Sequence, residues 1–389
     1  MQANTEQAER LILAAGGRDT ELVAVIDAIG AKQVTALAVE EVLYRSRPPS
    51  NTHLMQIQLD LMHGAERFSR TLGVRSGEPI SVTEGAADTA IVRLEFDLTE
   101  LVRILYGPPR ERAAGTHRVE LRLEQPAVRE QYLSVLREAW FSIGQAVDTV
   151  LSGCSSRRPD LNDLSVRYGS DKWGMLHWFT PHYEQHLAQL RDEPVRVLEI
   201  GIGGYKDPAD GGASLRMWKA FFPRGIVTGL DIFPKHGLDE TRLRTVQGDQ
   251  NDPAFLESLA AKYGPFDVII DDGSHINEHV ITSFQTLFRH VRPGGVYVIE
   301  DLFTTYCPGF GGVEDPVAPA GTSIGMLKSV LDHLHFQDRL GEPGSYPAEL
   351  IVGLHVYHNL AVIERGLNAE GGVPAWIPRS FDALVDGPN

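Results

Sequence analysis

Between residues 160 and 365, short runs that are almost wholly apolar alternate with segments of helical hydrophobic pattern. The apolar runs are "VRVLEIG" (Val195–Gly201), "GIVTGLDI" (Gly225–Ile232), "LRTVQG" (Leu243–Gly248), "FDVIIDD" (Phe266–Asp272) and "GVYVIED" (Gly295–Asp301). They lack the in–out alternation of a half-exposed strand, so they predict strands buried on both faces, as in a parallel sheet covered by helices. Between them, "SLRMWKAFF", "DPAFLESLAAKYG" and "VITSFQTLFRHV" predict helices. Near the end, "LIVGLHVYHNLAVIERG" predicts two more strands meeting at a tight turn around His358 and Asn359. Five parallel strands followed by such a hairpin make an α/β, Rossmann-like sheet with a reversed last strand.

The first 153 residues follow another pattern. Amphipathic helices come first, then short alternating strands such as "MQIQLDL" and "AIVRLEFDL", which is an α+β arrangement. The helical pattern "REQYLSVLREAWFSIGQAVDTVL" closes this part, and the polar, turn-rich "GCSSRRPDLND" follows it. We therefore expect two domains, a smaller auxiliary one over residues 1–153 and a larger one over 154–389, since 389 residues exceed what one hydrophobic core usually serves. No catalytic constellation occurs in the first, which leaves it oligomerisation or the walling of a substrate pocket.

Composition excludes several classes of function. With 42% apolar and 23% charged residues the chain reads as globular. No apolar run reaches the roughly 18 residues of a membrane span, and "MQANTEQAER" lacks the basic start and apolar stretch of a signal peptide, so a cytoplasmic protein with no membrane partner is expected. Two cysteines, Cys154 and Cys307, give neither a disulfide framework nor a structural zinc site. A formal charge of −16 with no basic stripe argues against a nucleic-acid partner and for a neutral or cationic small molecule.

The candidate chemistry sits at strand ends. After the first strand of the sheet comes "EIGIGGYKDPADGGASLRMW". Gly201, Gly203 and Gly204 allow a sharp turn and let a ligand lie against bare backbone. Asp231 ends the second strand, where an acid can accept both hydrogen bonds of a ribose diol, although a turn or N-cap aspartate would also stand there. Asp249 and Gln250 follow the third strand, where an adenine edge would fall. A dinucleotide needs a short G-x-G-x-x-G turn onto a helix N-terminus. Here the helix begins only near Ser214, a spacing that suits a ligand without phosphate, such as S-adenosylmethionine. Glu199, inside the strand, could take its amino group or orient the loop.

The fourth and fifth strands end in acids. Neighbouring strands lie roughly 4.8 Å apart, so Asp272, Glu300 and Asp301 would meet at one sheet edge if these strands pair. Without a cation three carboxylates that close repel one another, and a hard dication with oxygen ligands, Mg²⁺, fits them. Asp271 points to the other face, toward cofactor or strand interior. His275, in the loop after Asp272, is a candidate general base for a hydroxyl held by the metal. His279 is expected on the following helix as a structural residue.

The stretches "RVLEIGIGGY", "FDVIIDDGSHINEHV", "GGVYVIEDL", "YGSDKWGMLHWFTPHYEQHL", "GLHVYHN" and "GGVPAWIPR" resemble the metal-dependent sugar O-methyltransferases of polyketide antibiotic pathways, over nearly the whole chain. The resemblance implies a class I methyltransferase domain that uses S-adenosylmethionine and Mg²⁺, with His275 as the base and Asp272, Glu300 and Asp301 as metal ligands. It implies a homo-oligomer, a tetramer, and a glycosylated macrolide or related polyketide as substrate, methylated on a deoxysugar hydroxyl, the 2-position before the 3-position. It also aligns Ser170 with a segment that closes over cofactor. A catechol-type phenol as acceptor, a cephalosporin-hydroxylase-like role and a scaffold that binds cofactor without chemistry remain as alternatives. Specificity is expected in Thr304–Ser323 and in the N-terminal part, because loops carry it.

Overall fold

The computed structural model describes residues 2–109, 117–132, 136–155, 159–174, 176–339, 344–374 and 376–385. The first part holds α1 (Gln2–Ala15), α2 (Asp19–Ile29), α3 (Ala31–Arg45), β1 (Met55–His63), β2 (Glu66–Val74), β3 (Ser81–Glu84), β4 (Val92–Asp97), α4 (Leu98–Tyr106), β5 (His117–Leu121), α5 (Pro126–Tyr132) and α6 (Leu136–Gly153). The second part holds α7 (Leu161–Tyr168), α8 (Thr180–Leu187), β6 (Arg196–Ile200), α9 (Ala213–Phe221), β7 (Ile226–Asp231), β8 (Leu243–Gln247), α10 (Pro253–Tyr263), β9 (Phe266–Asp271), α11 (Asn277–Leu287), β10 (Val291–Glu300), α12 (Ser323–Leu334), β11 (Ile351–Tyr357), β12 (Leu360–Arg365) and α13 (Phe381–Val385). Residues 156–158, inside the polar stretch read as a boundary, lie outside the described residues, as do 133–135 in the long helical pattern and 375 in the C-terminal motif.

Every strand predicted in the second part forms, and the seven strands lie in the order β11-β12-β10-β9-β6-β7-β8. β6 to β10 run parallel, and β12 is antiparallel to β10, as the reversed last strand predicts. The doubly apolar strands have a direct cause. Val197, Val268, Ile270, Val296 and Val298 enter a core shared with Phe179, Tyr183, Trp218 and Phe221 on one face. Their neighbours Leu198, Ile269, Tyr297 and Ile299 enter the core on the other face, against Phe284 and Phe288. Alternate side chains of one strand therefore serve two cores, which forces both sets to be apolar.

Register decides where the strand ends fall. Ile200 pairs with Asp271 and Asp271 with Ile299, so Gly201, Asp272 and Glu300 leave the sheet on one common rung. The helix starts are written locally. Asp252 caps α10 by accepting from the backbone N–H of Ala254 at 2.9 Å and of Phe255 at 3.1 Å, with Pro253 in the first turn. Asp160 caps α7 through Asp163 N–H at 2.8 Å, and Gly169 ends that helix in the left-handed conformation.

The first part builds a five-stranded mixed sheet, β3-β2-β1-β4-β5, with its helices packed into a core that runs from Leu11 to Cys154 and takes in Ile226 of β7. Among the described residues no single helix is long and apolar enough to cross a membrane. The two parts are joined by a buried ion pair. Arg242 grips Glu41 of α3 with two nitrogens, Nη2 to Oε1 at 2.5 Å and Nε to Oε2 at 3.1 Å, and its Nη1 donates to the carbonyls of Lys219, Phe222 and Gly225. Arg45 adds a third donor to Glu41 at 2.7 Å. Burial by itself would raise the Glu41 pKa, but the charges of Arg242 and Arg45 outweigh it and bring it down from 4.5 to about 2.

A carboxylate with a depressed pKa stabilises the folded state fully above its unfolded value and loses that contribution as pH falls through the folded value. Glu41 should thus contribute on the order of 3 kcal/mol above pH ~5, lost progressively toward pH ~2. Glu41→Gln should flatten the acid limb of stability over that window, and Glu41→Ala should cost about 3–5 kcal/mol at neutral pH because it strands a buried guanidinium. Denaturant unfolding at stepped pH reads both, and an unchanged acid limb in Glu41→Gln would remove this pair as the cause.

Candidate active site

At the carboxyl edge of the seven-stranded sheet four carboxylates gather, Glu199 inside β6, Asp272 after β9, Glu300 at the end of β10 and Asp301 next to it. The cation among them comes from another part of the chain. Lys172, fully buried before α8, places Nζ 2.7 Å from Asp272 Oδ2, 2.7 Å from Glu300 Oε1 and 3.5 Å from Glu199 Oε1. Burial opposes the charge on Lys172, but Asp272, Glu300 and Glu199 outweigh it and hold its pKa well above the ordinary lysine value. The strand-end motifs point only to a metal for this role. Lys172 lies 100 and 128 residues from its two closest partners, so no spacing pattern marks it.

Each carboxylate is held differently. Glu199 accepts from Ser214 Oγ at 2.8 Å and from Trp218 Nε1 at 3.1 Å, and burial pushes its pKa up to about 7. Glu300 accepts from Lys172 and from the Tyr183 hydroxyl, and burial, with the neighbouring Asp272 charge, raises it well above the usual carboxylate range. Burial also raises Asp301, against the pull of His275. Asp301 Oδ1 is buried and makes no hydrogen bond, with His177 Nε2 3.5 Å away. His275 Nε2 stands 3.5 Å from Asp301 Oδ2.

His275 and Asp301 both have left-handed backbone, with φ of 55° and 54°. Side chains other than glycine adopt this region sparingly, at a cost of about 1–3 kcal/mol each, and such strain collects at functional sites. Here it turns both side chains into one space. The ligand atoms of Asp272, His275 and Asp301 all lie within 4.8 Å of one another.

The predicted cofactor residues line the neighbouring strand ends. Gly201 has φ of 93°, and a Cβ there would stand 2.0 Å from the Asp272 carbonyl oxygen, so glycine is demanded by the crossing of two chain segments. Gly204 likewise abuts Asp210, with a Cβ only 2.4 Å from its carbonyl, whereas a Cβ on Gly203 would meet nothing nearer than 3.9 Å. Lys235, which no motif marks, ties this loop by donating to the carbonyls of Tyr205, Asp207 and Asp210 at 2.9, 3.0 and 3.2 Å.

Asp231 accepts from the backbone N–H of Ile202 at 3.0 Å and of Phe233 at 2.9 Å, and so carries the structural duty of a turn aspartate at the position suited to a ribose. Gln250 is buried and bridges Ser274 N–H at 2.7 Å to Asp271 Oδ1 at 3.1 Å, while Asp249 is exposed and closes a turn onto Asn251 N–H. Ser170 is buried, and its Oγ lies 3.4 Å from the backbone nitrogen of Lys172. Asp271 faces the strand interior, bonded to Ser283, Tyr297 and Gln250. His279 sits on α11 and bonds Ser274 Oγ at 2.9 Å.

Residues 8–117 match the family model described as the MycE methyltransferase N-terminal family. The chain is 49% identical to the mycinamicin VI 2''-O-methyltransferase of Micromonospora griseorubida, over 99% of this chain and 98% of that protein. It is 48% identical to the 8-demethyl-8-(2-methoxy-alpha-L-rhamnosyl)-tetracenomycin-C 3'-O-methyltransferase of Streptomyces olivaceus, over 96% and 97% of the two chains. The solved structure of the MycE methyltransferase from the mycinamycin biosynthetic pathway, in complex with Mg, SAH and mycinamycin VI, superposes with a TM-score of 0.92 at 48% identity, covering 98% of each chain. This chain belongs to the sugar O-methyltransferases of polyketide antibiotic pathways.

The methyltransferase therefore has the fold and family that its strand-end motifs imply. Its acid cluster also fits a hard dication, since the carboxylates of Asp272 and Asp301 converge and Asp301 Oδ1 is buried with no donor, while Glu300, beside them, is engaged by Lys172 and Tyr183. Lys172 is then one of two positive charges that the cluster can recruit. Lys172→Met should lower the thermal unfolding temperature of the metal-free protein, as removal of one partner from a buried ion cluster costs about 3–5 kcal/mol. Added Mg²⁺ should restore more of that loss than it adds to the parent. A variant with parental stability in chelator would show that the ammonium does not balance these carboxylates.

Proposed function

We propose that this methyltransferase transfers a methyl group from S-adenosylmethionine to a hydroxyl of a deoxysugar on a macrolide or related polyketide, the 2-position before the 3-position, with Mg²⁺ bound at the acid cluster. The observation that carries the reading is the convergence of Asp272, His275 and Asp301 beside the glycine loop. Support comes from full-length relatives named as 2''- and 3'-O-methyltransferases and from the MycE complex with Mg, SAH and mycinamycin VI. In this reading Asp272, Glu300 and Asp301 hold Mg²⁺. Ser170, Glu199, Gly201, Gly203, Gly204, Ser214, Asp231, Asp249 and Gln250 form the S-adenosylmethionine side of the pocket.

S-adenosylmethionine supplies a methyl group activated by its sulfonium, and Mg²⁺ supplies Lewis acidity toward the sugar oxygens. His275 would take the hydroxyl proton at Nε2 as the sugar oxygen gains the methyl group and the S–CH3 bond breaks to release S-adenosylhomocysteine, and Asp301 Oδ2, 3.5 Å from that nitrogen, would stabilise the resulting imidazolium. The exposed Leu176 and Trp178, on the segment whose His177 faces Asp301, offer apolar surface for an aglycone. Residues 1–153 act as an auxiliary domain. The exposed Trp140 and Phe141 of α6 support its role in a homo-oligomer, which we take to be a tetramer.

Chelator should abolish turnover and Mg²⁺ restore it, and Asp272→Ala should demand far more metal. His275→Ala should retain cofactor binding and lose roughly 10²–10⁴ in turnover. Assayed with desmethyl macrolide glycosides and with a catechol, the parent should methylate the glycosides, and mass spectrometry with NMR of the product locates the methyl. Preference for the phenol, or full activity in chelator, would overturn the reading. Light scattering of the purified chain should give four times the monomer mass, and a monomer would remove the oligomer.

A further inference from the structure

A second cluster of metal-ligating side chains lies away from the acid cluster, where α8 packs over the β11–β12 edge of the large sheet. His186 of α8, His355 of β11 and Glu364 of β12 bring their ligand atoms within 4.8 Å of one another. His355 Nε2 is 3.0 Å and His186 Nδ1 3.7 Å from the same oxygen, Glu364 Oε1. The first distance is a hydrogen bond. The second is too long for one, so the inner imidazole nitrogen faces a carboxylate that it does not bond.

The other nitrogen of His186 is committed. Nε2 lies 2.9 Å from the Tyr357 hydroxyl, and the Tyr357 ring stacks on His182 at 3.8 Å between centroids, so this tyrosine is fixed from its far side. In the tautomer in which Nε2 donates to the Tyr357 hydroxyl, Nδ1 presents its lone pair to a metal, and an outer hydrogen-bond partner of this kind orients a histidine ligand. Protonating both rings instead would place two cations 4.4 Å apart by their centroids, one of them on a buried side chain. Burial, helped by His355, lowers the pKa of His186 and keeps it in the neutral form that a metal needs. His355 and Glu364 stay part-exposed, at 39% and 40% of their side chains, which leaves an entry path and room for water ligands.

We propose that His186, His355 and Glu364 form a binding site for a borderline transition-metal dication of the Zn²⁺ type. Two imidazoles and one carboxylate suit Zn²⁺ in preference to Mg²⁺, which takes oxygen ligands. The ion fastens α8 to both strands of the terminal hairpin. The same helix carries Tyr183, whose hydroxyl bonds Glu300, so the clamp steadies one wall of the acid cluster. It is a structural site, separate from Asp272, His275 and Asp301.

The test is titration of the full-length, metal-stripped protein with Zn²⁺ in the presence of excess Mg²⁺, read by calorimetry and by the rise in unfolding temperature. The parent should bind Zn²⁺ at one high-affinity site per chain and unfold at a higher temperature with it. His355→Ala and Glu364→Gln should each weaken binding at least about tenfold and lose the thermal shift. His275→Ala should retain both, which separates this site from the acid cluster. Should His355→Ala fold poorly by circular dichroism, His355→Gln and Glu364→Gln carry the comparison. Co²⁺ in place of Zn²⁺ should give visible absorption bands in the parent and not in Glu364→Gln. Absence of Zn²⁺ binding, or equal affinity in parent, His355 and Glu364 variants, would overturn the proposal. Because the readout is metal binding, failure of the methyl-transfer reading would leave this result unaffected.

Discussion

Buried carboxylates at neighbouring strand ends need positive charge among them, and that need organises the functional half of this methyltransferase. β6, β9 and β10 run parallel in register, so Asp272 and Glu300 leave the sheet on one rung, with Glu199 inside the adjacent strand. Of these three carboxylates, burial pushes Glu199 and Glu300 toward the neutral form. Lys172 counters this from within hydrogen-bond reach of two of them. Its position in turn fixes the course of the segment between α7 and α8, which brings Tyr183 to Glu300 and His177 to Asp301. The lysine and a dication are complementary solutions to one electrostatic problem, one built into the chain and the other recruited to its open side.

The same edge concentrates backbone that most residues avoid. Gly201 passes against the Asp272 carbonyl with no room for a side chain, and His275 and Asp301 take left-handed conformations despite carrying one. Such strain persists only where surrounding contacts over-determine it. Here Asp272 N–H bonds the Ile200 carbonyl and Gly201 N–H that of Leu230, which continue the sheet into the loops. Rigid strands thus present converging side chains at a sheet edge, the place where open α/β sheets bind ligands.

The N-terminal part is coupled to this framework through buried polar contacts as well as apolar packing. Arg242 joins Glu41, and Arg224 donates to the carbonyls of Tyr106 and Ile12, while Ile226 of β7 enters the N-terminal core. Separating the two parts would take Glu41 from Arg242 and two carbonyl acceptors from Arg224, so relative movement of the two parts is opposed by desolvation. The N-terminal part is in this way held in a definite position beside the sheet.

Much of this was legible in the sequence because it is local. Doubly apolar strands, the hairpin turn at His358–Asn359 and the acids that end β9 and β10 depend on residues within a few positions of one another. Strand pairing alone, read from the same runs, places Asp272, Glu300 and Asp301 at one edge. Only the tertiary structure could supply Lys172, 100 residues from Asp272, or the Arg242–Glu41 pair, 201 residues apart. It alone showed that Gly201 is required by a crossing backbone, that Gln250 and Asp231 carry structural bonds, and that His186, His355 and Glu364 share a corner. The reason is physical. Periodicity and capping act through neighbouring dihedrals, whereas a buried charge is matched by whatever the folded chain brings within a few ångströms, and sequence distance carries no record of that.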